Sequence, residues 1–287
     1  VYTGIVLAVV MACLLVIGVK GIGAVCRTLV PFMGIIYIIG CIGVLVVNRS
    51  FLIEAISLIL KSAFSADAAL GGLTGGAVMM AMRYGIARGL FSNESGLGSA
   101  PIVAAAAKTR NPVRQAMVSS TSTFLDTVVI CLLTGLVIVS SVVATDGAIY
   151  DEDGMMLTQA AFARLNITVG NVQIGSMSVN IAIILFSFST IVGWGYYGEK
   201  AIEYLFGPKY YKTARLVFRM LLVVVVFAGA VWSVGLVWNI SDFTNALMAI
   251  PNLICLVLLS PVIVSETRKY LWNDHLDDFS GEEPPMI

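Results

Sequence analysis

Long apolar blocks alternate with short polar ones along this chain. Blocks at 2–19, 30–47, 122–143, 178–198, 214–236 and 242–264 each approach or exceed the length that crosses a bilayer as a helix, about 20 mainly apolar residues. A further crossing over 78–108 is interrupted. Its middle, Arg88-Gly-Leu-Phe-Ser-Asn-Glu-Ser-Gly-Leu-Gly-Ser-Ala-Pro101, is too polar and too rich in glycine for an ordinary spanning helix. Pro101 lacks an amide N–H and suits the first turn of a new helix. The pattern predicts a helix broken in mid-membrane: a half-helix over 78–91, unwinding around 92–96, and a second half-helix over 97–108. Residues 51–64 are apolar but short, with Glu54 and Lys61 on the polar side, and predict an amphipathic helix lying at the interface. The long connection 144–177 begins acidic (Asp146, Asp151, Glu152, Asp153) and turns helix-like at 155–165. It either caps an outward vestibule or is a solvated loop.

Composition agrees with that pattern and narrows the class. Of 287 residues, 59% are hydrophobic and 12% charged. A soluble domain carries roughly 45–50% apolar and about 25% charged residues. The chain is expected to be an all-α polytopic membrane protein with the lipid bilayer as its solvent. Its formal net charge is zero, so nothing points to nucleic acid. Cys13, Cys26, Cys41, Cys131 and Cys255 sit singly in or beside apolar runs without metal-ligand spacing. The single histidine, His275, falls in the polar tail, which argues against haem or a histidine-based metal centre. The chain starts at Val1 without initiator methionine or signal peptide, and is expected to be the C-terminal part of a longer protein.

Charge also sets an expected orientation. Most Lys and Arg fall in the connections near 20–29, 106–121 and 199–219 and in the tail after 264. Only Arg49, Lys61 and Arg164 fall in the opposite set, 48–77, 144–177 and 237–241. The positive-inside bias puts the first set, and the C-terminus, in the cytoplasm of a multi-pass protein of the cell membrane.

Candidate chemistry concentrates at two places. Backbone left unpaired inside a membrane is tolerated where it lines a cavity or is buried in protein, and secondary transporters build binding sites from such broken helices. Phe91, Ser92 and Asn93 stand at the break. There, freed N–H groups of the second half-helix can receive a carboxylate, and freed carbonyls of the first can face a cation or an ammonium group. Glu94 is an acidic residue near the midplane. It either acts in gating, pairs with Arg88 or Arg83, or caps the following half-helix. The second place is Phe186-Ser-Phe-Ser-Thr-Ile-Val-Gly-Trp-Gly-Tyr-Tyr-Gly198. Ser187, Ser189 and Thr190 put hydroxyl oxygens into an apolar helix, where they either ligate a hard cation or bond back to their own preceding turn. Trp194 either closes the base of a cavity or packs as an ordinary core residue. Asp126, at the start of the 122–143 crossing, fits a helix N-cap or a gate partner for Arg114. No nucleophile–base pair, paired carboxylates at a pocket or phosphate loop is apparent, and Gly96-Leu-Gly-Ser follows no strand. An enzyme is not expected. An ion channel would need a continuous polar lining, whereas the polar residues gather at two spots; it stays an alternative, beside a truncated, non-transporting fragment.

The run Gly89-Leu-Phe-Ser-Asn-Glu-Ser-Gly-Leu-Gly-Ser-Ala-Pro101, the alanines up to Lys108 and Asn111-Pro-Val-Arg-Gln115 resemble the signature of the sodium:alanine/glycine symporter family. Phe124-Leu-Asp-Thr127 and Phe188-Ser-Thr-Ile-Val-Gly-Trp-Gly-Tyr-Tyr-Gly-Glu-Lys200 resemble it as well. The resemblance covers nearly the whole chain and implies the inverted-repeat amino-acid–sodium symporter fold. On that fold, 1–48 would hold the last two helices of the first repeat and 49–77 an outer connection with its interfacial helix. The second five-helix repeat would occupy 78–264 and a cytoplasmic tail 265–287. The resemblance implies sodium-coupled import of a small neutral amino acid, alanine or glycine. It implies substrate contacts at Phe91, Ser92, Asn93 and Trp194, sodium ligands at Ser189 and Thr190, and a gating or capping role for Glu94 and Arg88. Ser95 stands where relatives often carry alanine.

Overall fold

The computed structural model describes residues 2–17, 19–63, 85, 87–149, 154–166, 168–169 and 172–277. The expectations on 64–84 (Arg83 and most of the first half-helix among them), on the acidic residues 151–153 and on the tail beyond 277 lie outside the described residues. What is described is helical apart from turns and one short hairpin, Thr168–Val169 against Val172–Gln173. In chain order the helices are α1 (Tyr2–Ile17), α2 (Val19–Val47), α3 (Leu52–Ala63), α4 (Ala100–Ala104), α5 (Pro112–Phe124), α6 (Leu132–Val143), α7 (Gly154–Ala163), α8 (Ile174–Val231) and α9 (Val234–Thr267). A π-helical segment, Leu125–Cys131, joins α5 to α6, and another, Arg268–Trp272, ends α9. Helical backbone also covers 87–93.

Among the described residues four stretches are long and apolar enough to span a membrane: Thr28–Val47, Pro112–Val143, Ile174–Val231 and Val234–Trp272. At about 1.5 Å per residue, α8 would be far longer than one crossing of a hydrocarbon core about 30 Å thick. It is two helices. Gly207 sits at φ 62°, ψ 179°, backbone that only glycine adopts without strain, and Pro208 follows it.

Several boundaries differ from the hydropathy pattern. Residues 20–29, expected as a connection, are the start of α2. Residues 112–121 extend the 122–143 crossing, because Asn111 caps α5: its side-chain oxygen accepts from the Arg114 amide at 2.8 Å, with Pro112 in the first turn. The break before α9 falls at 232–233 rather than 237–241. The polar residues there are helical, and Asp242 has a partner inside the protein.

The chain divides into two compact units. One comprises Cys13–Arg83 and Val128–Trp194. Its core gathers Cys41 and Val44 of α2, Val137 of α6, Ala161 and Phe162 of α7, and Val179 of α8. Tyr37 stacks on Phe162, with ring centroids 5.7 Å apart, and shares a hydrogen bond with Thr134 at 2.7 Å. The fully buried Asn48 donates to Ser140 (3.2 Å) and Ser141 (2.9 Å) and accepts from Arg164 (2.8 Å). A buried amide so bonded carries little of the penalty of an unpaired polar group. Helix α3 packs on α6, with Ala55 buried and Glu54 and Lys61 exposed.

The other unit comprises Val1–Ala12, Tyr84–Thr127 and Gly195–Ile287. It contains the break, and α4 and α9 both pack on α5. Gly198 faces Phe218 so closely that a Cβ there would overlap the ring. Beside that contact the Arg219 guanidinium holds Glu199 through two hydrogen bonds, 2.5 and 3.0 Å, with the Glu199 side chain 3% exposed. The bridge ties the two helices of α8 together near their shared turn.

Candidate functional site at the helix break

Helical backbone runs through Asn93, then gives way over 94–99 and resumes as α4. The interruption therefore lies a little later than the 92–96 expected, and the second half-helix is shorter than 97–108. Three left-handed residues explain the delay: Glu94 at φ 53°, Gly96 at 82° and Gly98 at 80°. Two glycines adopt this backbone freely. A Cβ at Gly98 would also come within 3.0 Å of Asn252 Oδ1 on α9, so glycine is needed there for space as well. Glu94 has no such licence. A left-handed glutamate carries strain of about 1–2 kcal/mol, and strain of this kind gathers at functional positions.

The break is tied to α5 and its π-helical continuation. Ser92 donates to Asp126 Oδ2 at 2.6 Å, and the Asn93 amide donates to Thr127 Oγ1 at 2.9 Å and to its own preceding turn at Gly89 O, 3.3 Å. Tyr197 of α8 donates to Glu94 Oε1 at 3.4 Å, while Glu94 Oε2 is buried without a hydrogen-bond partner among the described residues. Asp126 is thus neither an N-cap nor the partner of Arg114; that arginine pairs with Asp277 of the tail. Arg88 does not pair with Glu94 either. It forms a two-pronged bridge to Asp242 of α9, 3.1 and 3.3 Å, and stacks on Trp238 with 3.7 Å to the ring centroid. The bridge fixes the helical turn before the break to α9.

Ser92, Asn93 and Glu94 line one cavity of about 450 Å³ with Gln115, Ser119, Asp126 and Tyr197. Phe91 is half-buried one residue before them. The remaining sequence candidates belong to the other unit. Ser189 and Thr190 each donate to Phe186 O at 2.9 Å, three and four residues back along α8. Ser189 also lies 4.0 Å from Met33 Sδ. Trp194 is half-buried on the same helix. Asp126, Thr127 and Tyr197 were not assigned to the break from the sequence. The signal for the first of them is present: Gln115, Ser119, Ser122 and Thr123 on α5 and Asp126 in its π-helical continuation recur at helical spacing. Among the described residues no cluster of metal-ligating side chains is found.

Broken helices beside a cavity are a common way for secondary transporters to build their sites. The model of the Sodium:alanine symporter family matches residues 1–280. The chain belongs to this family. Its members are transporters, not enzymes, and family membership with four apolar helices of spanning length makes this a membrane-embedded protein. The chain is 46% identical over 268 residues to the sodium/alanine symporter AgcS of Methanococcus maripaludis, covering 93% of itself and 56% of that protein. It is 42% identical over 283 residues to an uncharacterized transporter of Haemophilus influenzae, covering 98% of itself and 59% of the relative. It is 36% identical over 270 residues to the probable sodium/glutamine symporter GlnT of Bacillus subtilis, covering 93% of itself and 53% of GlnT. The chain thus spans a little over half the length of these relatives.

Proposed function

We propose that the protein acts as a sodium-coupled symporter importing a small neutral amino acid, alanine or glycine. The observation that carries this reading is the break at 94–99, in a chain of the symporter family, with Ser92 and Asn93 held in place by Asp126 and Thr127. The proposed fold is the inverted-repeat amino-acid–sodium symporter fold. In it, 1–48 ends the first repeat, 49–77 is the outer connection, 78–264 is the second repeat and 265–287 a cytoplasmic tail. Phe91, Ser92 and Asn93 contact the zwitterion, with Trp194 as a further contact. Glu94 and Arg88 serve gating or capping, Arg88 through its bridge to Asp242.

Sodium is cargo here, and its proposed ligands are Ser189 and Thr190. Both hydroxyl protons are directed at Phe186 O. A hydroxyl that donates its proton keeps two oxygen lone pairs, so this back-bonding leaves the oxygens competent to face a cation. Coupling requires that sodium and amino acid together favour one conformational state more than either does alone, a matter of differential affinity.

The test is uptake of labelled alanine, glycine and glutamine by the full-length protein in proteoliposomes, with and without a sodium gradient, beside Ser189→Ala/Thr190→Ala. Sodium-dependent alanine or glycine uptake is expected, with the double variant needing several-fold more sodium. Uptake indifferent to sodium would remove the coupling claim, and glutamine uptake exceeding both others would move the substrate class.

A further inference from the structure

The ion pairs among the described residues engage Arg88, Arg110, Arg114, Lys200 and Arg219. Arg268, at the end of α9, is outside that set and lies over Trp272 instead, 5.9 Å from the ring centroid. Lys269 follows it, 4.7 Å from the ring centroid of Tyr270. These two cations border an open hollow of about 640 Å³ beside the helix end. None of its lining residues belongs to the break or to the cavity beside it. Pro261 and Val264 give the hollow an apolar part, and Ser265 and Asn273 add a hydroxyl and an amide. No aspartate or glutamate is among its described lining residues. Asp277, the carboxylate of the adjoining tail, is held by Arg110 and Arg114. Depth in the bilayer follows from the sequence of α9. Between Asp242 and Glu266 the helix carries no charge, a rise of about 36 Å at about 1.5 Å per residue. That exceeds a hydrocarbon core about 30 Å thick and falls short of the about 40–45 Å of a whole bilayer. Arg268 and Lys269 therefore stand at headgroup level, where the exposed Trp272 also belongs.

We infer that the hollow at the end of α9 binds an anionic phospholipid, its headgroup phosphate on Arg268 and Lys269 and an acyl chain along Pro261 and Val264. Charge complementarity selects this occupant. The guanidinium offers paired N–H donors that match phosphate oxygens, and the ammonium adds a second positive charge. A zwitterionic lipid presents the same phosphate with a cationic group that these two side chains repel, so a net-negative headgroup fits better. The apolar part of the hollow distinguishes a lipid from a free phosphate ion. A bound lipid braces the end of α9, the helix whose Asp242 holds Arg88 before the break. The inference needs only that α9 crosses the membrane, and is independent of cargo and coupling ion.

The experiment measures thermal unfolding of the full-length protein in detergent with short-chain phosphatidylglycerol, short-chain phosphatidylcholine or inorganic phosphate. A ligand that binds the native state raises the unfolding midpoint. Phosphatidylglycerol is expected to raise it by several degrees, and the other two by far less. Arg268→Gln/Lys269→Gln is expected to lose most of that shift. So is Ser265→Trp, which keeps both charges but fills the hollow; Ser265 is exposed, so this variant is expected to match the parent without lipid and keeps the test decisive if the double variant folds poorly. Lys209→Gln/Lys212→Gln, which removes two cations at the turn of α8, is expected to keep the shift. A shift that survives in both the double variant and Ser265→Trp would overturn the inference. An equal loss in Lys209→Gln/Lys212→Gln would overturn it as well, because general surface charge then explains the effect. Inorganic phosphate matching the lipid would make the occupant a free anion. No shift in the full-length protein would mean that other protein covers the hollow, and a shift seen only after removal of 278–287 would make the chain's own tail the occupant; either result ends the lipid assignment.

Discussion

At the scale of single residues, the break is set by backbone conformation more than by polarity. Gly96 and Gly98 are both left-handed, but their surroundings differ. A Cβ at Gly96 would meet only Leu90 Cδ2 at 3.6 Å, an ordinary contact, whereas at Gly98 it would approach three atoms of Asn252 within 3.4 Å. Gly96→Ala is therefore expected to lose about 1–2 kcal/mol, the conformational term alone. Gly98→Ala is expected to lose more, because α9 must also move. Thermal unfolding of the two variants in detergent checks the order, and equal losses would show that Asn252 yields without cost. Glycine clusters are visible in a sequence, and with Pro101 they announced an interruption. They did not announce that Glu94 would share the left-handed backbone, because nothing local favours it there; its Tyr197 contact bridges 103 residues.

At the scale of elements, polar residues inside apolar helices divide by what they meet. In the apolar pattern Asp242 is the first residue of the 242–264 crossing, next to the expected connection 237–241. It stands inside α9 because Arg88, 154 residues earlier, satisfies both its oxygens. The Arg219–Glu199 bridge does the same for the hairpin of α8 around Gly207. Breaking one side of a buried pair leaves an uncompensated charge, at a cost of about 3–5 kcal/mol. Glu199→Gln and Arg219→Gln are each expected to lower the unfolding temperature by several degrees. The double variant is expected to be more stable than the sum of the two predicts. Additive losses would mean that the bridge contributes nothing beyond its separate side chains. The turn itself was legible only as a gap between crossings; a Gly-Pro pair with φ positive at glycine places it at 207–208.

At the scale of the whole molecule, the proposed arrangement across the bilayer rests on where lysine and arginine gather. The turn of α8 carries Lys209, Lys212 and Arg215; Arg110 just before α5 and Arg114 in its first turn both reach Asp277 of the tail. On the proposed topology, the positive-inside bias would place all of these in the cytoplasm and α7 outside. A single cysteine at Lys209 in the full-length, otherwise cysteine-free protein is expected to react with an impermeant thiol reagent only when the cytoplasmic face is exposed. One at Met155, which is exposed on α7, is expected to react only from outside. The reverse pattern would invert the proposed topology.

The sequence by itself determined that this chain lives in a membrane, that it holds helices long enough to cross one, and that helical backbone is interrupted near Gly96 and Gly98. Those properties are local: apolar length is matched to bilayer thickness, and positive φ to the absence of a Cβ. It also carried the family's motifs, matched across residues 1–280. Only the tertiary structure decided which polar groups meet. Ser92 finds Asp126, Asn93 finds Thr127, Arg88 finds Asp242 rather than Glu94, and Arg114 finds Asp277 rather than Asp126. Each of these pairs joins residues at least 34 positions apart in the chain, and packing, not sequence proximity, determines which partner is within reach.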